Sequence, residues 1–312
     1  MARAGWKRRT AWVVGGLTAV AVVWVVADGV HAAYIAWSYQ AWVSEQRLTD
    51  DGVLVGCEAY TLPPADGASS RGAVLLVHGF NASPRHWDLI APELADEGFH
   101  VRVMRLPGFA EPQSLWQERD ADQWVAAVAA ELAALRHEHE RVGVVGHSLG
   151  GAVTIRTVID HPAAADWAVL VAPAIAVSGA RSPLLPTRAW HEIAEGLLVF
   201  SRVLVAPFPM DCRVPGRTDW PGRLPFASRE VIDALFELLD RNLADAEQLT
   251  TPVTMLVAAE DRIVDTPAAA AYYQRLGAEQ KRLVVLDASG HEAPLDRQWP
   301  RIVEAVKARD EG

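Results

Sequence analysis

The sequence predicts an α/β fold, on three observations. From about residue 51 short apolar runs alternate with helix-like segments, the rhythm of an α/β domain. The runs 73–77, 142–146 and 168–172 are almost wholly apolar, as suits strands buried on both faces of a parallel sheet. Gly146-His147-Ser148-Leu149-Gly150 sits directly after one of these runs and directly before an apolar-periodic helix, a strand–turn–helix setting.

The elements follow in order. Residues 53–60 read as an early strand, 63–72 as a turn region and 73–77 as a buried strand. Residues 84–97 read as a helix with Trp87, Ile90 and Leu94 on one face. A strand at 101–106, an Ala-rich amphipathic helix at 121–137, a strand at 142–146, a helix at 149–160 and a strand at 168–172 continue the alternation. The rhythm breaks over 175–250, where Pro183, Pro186, Pro207, Pro209, Pro215, Pro221 and Pro225 separate short helical pieces at 189–205 and 229–243. That stretch reads as an inserted lid. A strand at 253–259, a helix at 267–276, a strand at 283–286 and a closing helix from about Trp299 resume the pattern. The predicted division is therefore an N-terminal segment 1–50, a first core part 51–174, a cap 175–250 and a second core part 251–312.

The N-terminal segment reads as a membrane anchor. Arg3, Lys7, Arg8 and Arg9 precede an uncharged run of 17 residues from Ala11 to Ala27. At 1.5 Å per residue this spans roughly 25 Å, the short end of what crosses a bilayer core. Residues 30–43 remain mostly apolar and extend the helix, and Trp12, Trp24 and Trp37 suit interfacial anchoring. Positive charge lies before the run, while Asp28, Glu45, Asp50 and Asp51 lie beyond it, which places the N-terminus in the cytoplasm and the rest outside. The competing reading is a secretory signal cleaved near Val30-His31-Ala32, releasing a secreted protein.

Composition excludes other classes. The chain has 312 residues, 51% of them hydrophobic, which argues against disorder and allows a sizeable core. A net charge of −10 disfavours nucleic acid as a partner. Two cysteines, Cys57 and Cys212, exclude a disulfide-stapled fold; they read as free thiols by default, with pairing open to them if the domain is exported. His137 and His139 are two apart on a helix end, a spacing that does not present a zinc pair, and no metal or cofactor is expected.

The chemistry converges on Ser148. A serine flanked by glycines two residues either side can occupy a sharp, strained turn that lifts its hydroxyl above a sheet. The helix that follows aims its N-terminal N–H groups at a forming oxyanion. Such a hydroxyl needs a base, and the base an orienting acid. Asp261 follows the strand at 253–259 and His291 follows the last predicted strand, so both fall just past strand ends, where ligands bind in open α/β sheets. Glu260 and Asp265 compete with Asp261 as the acid; His161, before Pro162, and His191, in the lid, compete with His291. After the first buried strand, His78-Gly79-Phe80-Asn81 allows a backbone turn, so the amides of Phe80 and Leu149 are the candidate oxyanion donors and His78 a structural hydrogen-bonder. In the lid, Leu197-Leu198-Val199-Phe200 and Val203-Leu204-Val205 read either as packing or as a lipid- or acyl-contacting wall, with Trp190, Phe208, Trp220 and Phe226 as further apolar candidates.

In the pieces 73–81, 142–151, 253–261 and Gly290-His291 the sequence resembles serine hydrolases of the α/β-hydrolase superfamily, in the style of its carboxylesterase and monoacylglycerol lipase branch. The resemblance covers roughly residues 51–312. It implies a mostly parallel eight-stranded sheet, a cap after the sixth strand, no cofactor and hydrolysis of a small acyl ester through an acyl-enzyme. Where many relatives carry Gly-His-Gly, this chain reads Leu106-Pro107-Gly108-Phe109-Ala110-Glu111, so the pocket border differs. Thioesterase, amidase and acyltransferase chemistry fit the same residues, and a silent binding fold is the non-enzyme alternative. The apolar lid and the anchor together point to lipid-like esters such as monoacylglycerols or lysophospholipids.

Overall fold

The computed structural model describes residues 2–113, 120–182, 184–206, 210–217 and 223–311. Pro183, Pro207, Phe208, Pro209, Trp220 and Pro221, singled out in the sequence, lie outside the described residues.

A sheet of seven strands forms the centre, in the order β1-β3-β2-β4-β5-β8-β9. These are β1 (Tyr60–Leu62), β2 (Ala73–Val77), β3 (His100–Met104), β4 (Val142–His147), β5 (Trp167–Val171), β8 (Val253–Ala258) and β9 (Lys281–Leu286). All neighbours pair in parallel except β1, which runs antiparallel to β3. Helices α2 (Ala91–Asp96), α3 (Ala121–Glu138), α4 (Leu149–Asp160), α7 (Thr266–Arg275) and α8 (Pro300–Asp310) pack around it. Alternation divides each strand between two cores. Leu75, Val77, Val142 and Val144 join one cluster with Trp124, Leu132 and Val153 from α3 and α4. Val74, Leu76 and Val145 join the other with Trp87, Leu94 and Ile302 on the opposite face. Both faces are covered, which is why these strands read as continuous apolar runs.

Several expectations need correction. The sheet has seven strands among the described residues, not the eight that the resemblance implies, and the first is not 53–60 but the short Tyr60–Leu62. Gly52 and Gly56 take φ of +77° and +82° and turn the chain there. Val53, Leu54 and Cys57 are buried against Ala110 and Leu224 instead of pairing in the sheet. The inserted segment follows the fifth strand, not the sixth as the resemblance implies. The helix expected over 84–97 is a 3-10 turn, Pro84–Trp87, followed by the short α2. The helical piece expected over 189–205 is α5 (Thr187–Leu197) followed by a strand, β6 (Val203–Val205), which pairs antiparallel with β7 (Phe226–Ser228). Helix α6 (Arg229–Ala244) then returns the chain to the core, where Leu235, Leu238 and Leu239 are buried.

The N-terminal helix α1 (Ala2–Ser44) has two unlike halves. Its stretch Trp12–Ser44 is long and apolar enough to cross a membrane, and large apolar side chains from Trp12 to Val26 are exposed. Further on, one face docks against the β6–β7 hairpin. The Asp28 carboxylate accepts from the amides of Val199 and Phe200 at 2.7 and 2.8 Å, and the Trp24 indole donates to Leu197 O at 2.7 Å. Ile35 and Tyr39 are buried with Val203 and Phe226, and the Tyr39 hydroxyl donates to Pro112 O at 2.6 Å. The positions 24, 28, 31, 35 and 39 recur every three or four residues, one helix face. The Asp28 contact also explains why α5 stops at Leu197: the next amides are bound from outside.

Replacing Tyr39 with Ala removes both a buried ring and a hydrogen bond. The expected cost is about 3 kcal/mol, read as a lowered thermal midpoint of the full-length protein in detergent.

Candidate active site

Strand β4 ends beside β2 and β5, with Gly146 opposite Val77 and His147 opposite Val171. The chain then turns abruptly into α4. Ser148 sits at the turn with φ +53° and ψ −118°, a strained conformation for a residue with a side chain. Its amide donates to Val171 O and its carbonyl accepts from the amides of Ala152 and Ala174, so neighbouring elements hold the strain in place. A Cβ at Gly146 would lie 2.4 Å from Gly150 O, and one at Gly150 would lie 2.4 Å from the carbonyl oxygens of Val77 and His78. The two flanking glycines are therefore required by close backbone approach.

Ser148, His291 and Asp261 come together. His291 Nε2 lies 2.7 Å from Ser148 Oγ, and His291 Nδ1 lies 2.8 Å from Asp261 Oδ2. Asp261 Oδ1 accepts from the amides of Ile263 and Val264, both at 2.8 Å, so the carboxylate cannot swing away. The competing residues have other partners. Asp265 caps α7 by accepting from the Ala268 amide, and Glu260 pairs with Arg213 at the surface. His191 pairs with Asp233 at 2.5 Å, and His161 closes the end of α4. Phe80 and Leu149 both border the cavity into which Ser148 opens. Leu149 is the first residue of α4, so its N–H belongs to the positive end of the helix dipole.

His78 is wholly buried. Its Nε2 accepts from the Leu106 amide at 3.0 Å and its Nδ1 donates to Gly79 O at 2.9 Å. Burial pushes its pKa down to about 3, so it is a neutral brace between β2 and the strand-end loop after β3. Asn81, with φ +50°, donates to Leu224 O and Phe226 O and ties the loop after β2 to β7.

Ser148 opens into a cavity that is continuous with solvent, about 570 Å³ of empty space with the open mouth included. Its lining combines apolar Leu149, Val177, Leu235, Leu239, Ile263 and Val264 with polar His86, His147, Arg223 and Glu292. The run 197–205 does not contribute. Leu197, Val199, Phe200 and Val205 are exposed, and Val203 packs on α1. Phe226 packs edge-on against Tyr39 and Trp42, and Trp190 is exposed.

Sequence reasoning missed Asp211. Its buried carboxylate accepts from the amides of Arg262 and His291 at 2.9 and 3.2 Å, and its carbonyl accepts from the Glu292 amide. It clamps the loops that carry Asp261 and His291. No pattern around Pro209-Met210-Asp211 announces this, because its partners are backbone groups distant in sequence.

Burial pulls the protonated form of His291 down, but the carboxylates of Asp261, Glu292 and Asp211 outweigh it and raise its pKa above the ordinary 6.5. For Glu292, burial pushes upward, yet His86, His147 and His291 hold the carboxyl far below its usual range. A base works only when neutral. Activity should therefore be lost as pH falls through the raised His291 pKa, with the acid limb of kcat/KM centred above 6.5. Asp261→Asn should move that limb to lower pH and reduce kcat by about 10⁴. A pH–rate profile of both proteins tests this.

Residues 68–298 match the family described as serine aminopeptidase, S33. A thermostable monoacylglycerol lipase of Bacillus sp. (strain H-257) is 27% identical over 236 residues, covering 74% of this chain and 87% of the relative. Among solved structures, the monoacylglycerol lipase of Paleococcus ferrophilus superposes with a TM-score of 0.68 at 23% identity, over 81% of this chain and 99% of that one. A bacterial membrane phospholipase A superposes with a TM-score of 0.55 at 19% identity, over 98% of both chains. That overlap extends into the N-terminal helix.

Proposed function

This chain belongs to the serine aminopeptidase S33 family and is a carboxylic ester hydrolase of the α/β-hydrolase fold, and from that premise we propose that Ser148, His291 and Asp261 form its catalytic triad. The observation that carries the assignment is the unbroken chain of 2.7 and 2.8 Å contacts from Ser148 through His291 to Asp261. Ser148 Oγ attacks the ester carbonyl while His291 Nε2 takes its proton. His291 then gives that proton to the leaving alcohol, and Asp261 holds the ring in the required tautomer. The amides of Phe80 and Leu149 receive the oxyanion, a contribution of roughly 3 to 4 kcal/mol per donor in comparable sites. Water attacks the acyl-enzyme in the second half by the same route.

The substrate class is lipid-like, with monoacylglycerols and lysophospholipids as the leading chemistries. The apolar part of the cavity lining supports this, as does the likeness to a monoacylglycerol lipase. Residues 175–250 serve as a cap over the cavity. We read α1 as an uncleaved anchor with the N-terminus cytoplasmic and the catalytic domain on the other side. Asp28 supports that reading, because cleavage near Val30-His31-Ala32 would discard the carboxylate that binds the Val199 and Phe200 amides. Exposed Val199 and Phe200 give the insert an apolar outer surface beside the anchor.

A fluorophosphonate probe should label the full-length protein, and Ser148→Ala should lose labelling together with hydrolysis, by about 10⁵ or more. Across a graded series of acyl esters the rate should rise with chain length; a flat profile rejects the lipid assignment while leaving the triad intact. A reporter fused to the C-terminus should score as non-cytoplasmic, and a cytoplasmic score reverses the topology.

A further inference from the structure

We propose that His86, His147 and Glu292 form a binding site for a zinc-class divalent ion, and that occupation of this site silences Ser148. The three residues come from distant parts of the chain. His86 lies on the 3-10 turn Pro84–Trp87, His147 is the last residue of β4 and Glu292 follows His291. All three side chains are buried, and one ligand atom of each lies within 4.8 Å of the other two. His86 Nε2 is 3.1 Å from Glu292 Oε2, and the two imidazole rings are 4.5 Å apart.

The second observation is the state of His147, which is 1% exposed. Its Nε2 hydrogen-bonds His291 O at 2.8 Å; a carbonyl only accepts, so Nε2 carries the hydrogen and Nδ1 the lone pair. Nδ1 is fully buried and has no hydrogen-bond partner. An imidazole whose far N–H is fixed by a carbonyl and whose other nitrogen is bare, here packed beside Gly79 with the His86 ring 4.5 Å away, has the tautomer that metal-ligating histidines adopt. Two imidazoles and one carboxylate form a donor set suited to zinc with an open coordination position. That position would face the cavity that also holds Ser148.

The effect on catalysis follows from placement. The His147 ring is 5.0 Å from that of His291. His147 directly precedes Ser148, its Nε2 donates to His291 O, and all three proposed ligands line the cavity that Ser148 lines, so an ion held there occupies space that an ester must enter. Arg223 lines the same cavity and is attracted to Glu292. The ion competes with that guanidinium, so the binding is expected to be reversible.

The test uses full-length, metal-stripped protein in detergent, titrated with zinc chloride. Bound zinc is measured by equilibrium dialysis and hydrolysis on a soluble aryl ester. Zinc should bind at about one ion per chain with ligand-loss variants, His86→Gln and Glu292→Gln, each weakened roughly tenfold or more. In wild type, hydrolysis should fall in parallel with occupancy and return with EDTA; each variant is compared with its own zinc-free rate. His191→Ala, in the surface cluster with Glu195 and Asp233, should leave the zinc midpoint unchanged. Cobalt bound to wild type should show ligand-field bands without a thiolate charge-transfer band, a readout that does not depend on a variant folding. Absence of zinc binding, an unchanged midpoint in His86→Gln, or a thiolate band overturns the site. Binding without inhibition overturns the regulatory role alone. Because binding is read directly, a failure of the triad assignment, seen as no hydrolysis in any form, is distinguishable from a failure of the metal site.

Discussion

The turn at Ser148 is the constraint on which the rest of the structure depends. A residue bearing a side chain is held at positive φ between a parallel strand and a helix, at a cost of order 1–3 kcal/mol. The surroundings must over-determine it. Backbone bonds to Val171, Ala152 and Ala174 do so from three directions, and the bare α-carbons of Gly146 and Gly150 let α4 sit against the end of β2. The return is positional: the hydroxyl stands clear of the sheet at the N-terminus of a 12-residue helix, where backbone N–H groups are unpaired by the helix itself.

The partners of Ser148 reach it from loops, and loops need fastening. Asp261 is fixed by two amides of its own loop, which is a local device. His291 is fixed by Asp211, from the segment between β7 and the preceding hairpin strand, which is a non-local one. Asp296 adds a third, accepting from the Gly290 amide at 2.7 Å. The inserted segment thus fastens the loop that carries His291 as well as lining the cavity through Val177, Arg223, Leu235 and Leu239.

These two kinds of device mark what could be read in advance. Ser148, Asp261 and His291 were legible because strand ends, glycines and chain order are local patterns. The buried strands were legible because parallel pairing with both faces covered forces unbroken apolar runs. The turn at Gly52–Gly56 was not, since Val53 and Leu54 are as apolar as a strand requires and bury themselves anyway. Asp211, His86 and Glu292 were not, because their roles come from tertiary proximity. The run 197–205 reads in sequence as either packing or a contact wall, and only tertiary structure distinguishes them: Val203 packs on α1, while Leu197, Val199, Phe200 and Val205 are exposed and do not line the cavity.

Helix α1 is unbroken over 43 residues, about 65 Å. Its far half is latched to the β6–β7 hairpin by Asp28, Ile35 and Tyr39, so it cannot pivot against the catalytic domain without breaking buried contacts. In a bilayer such a rod acts as a lever. A mismatch between its apolar length and the membrane is absorbed by tilt. With α1 as the proposed anchor, that tilt would be carried rigidly into the domain, and the thickness of the host membrane would set the angle at which the domain is held.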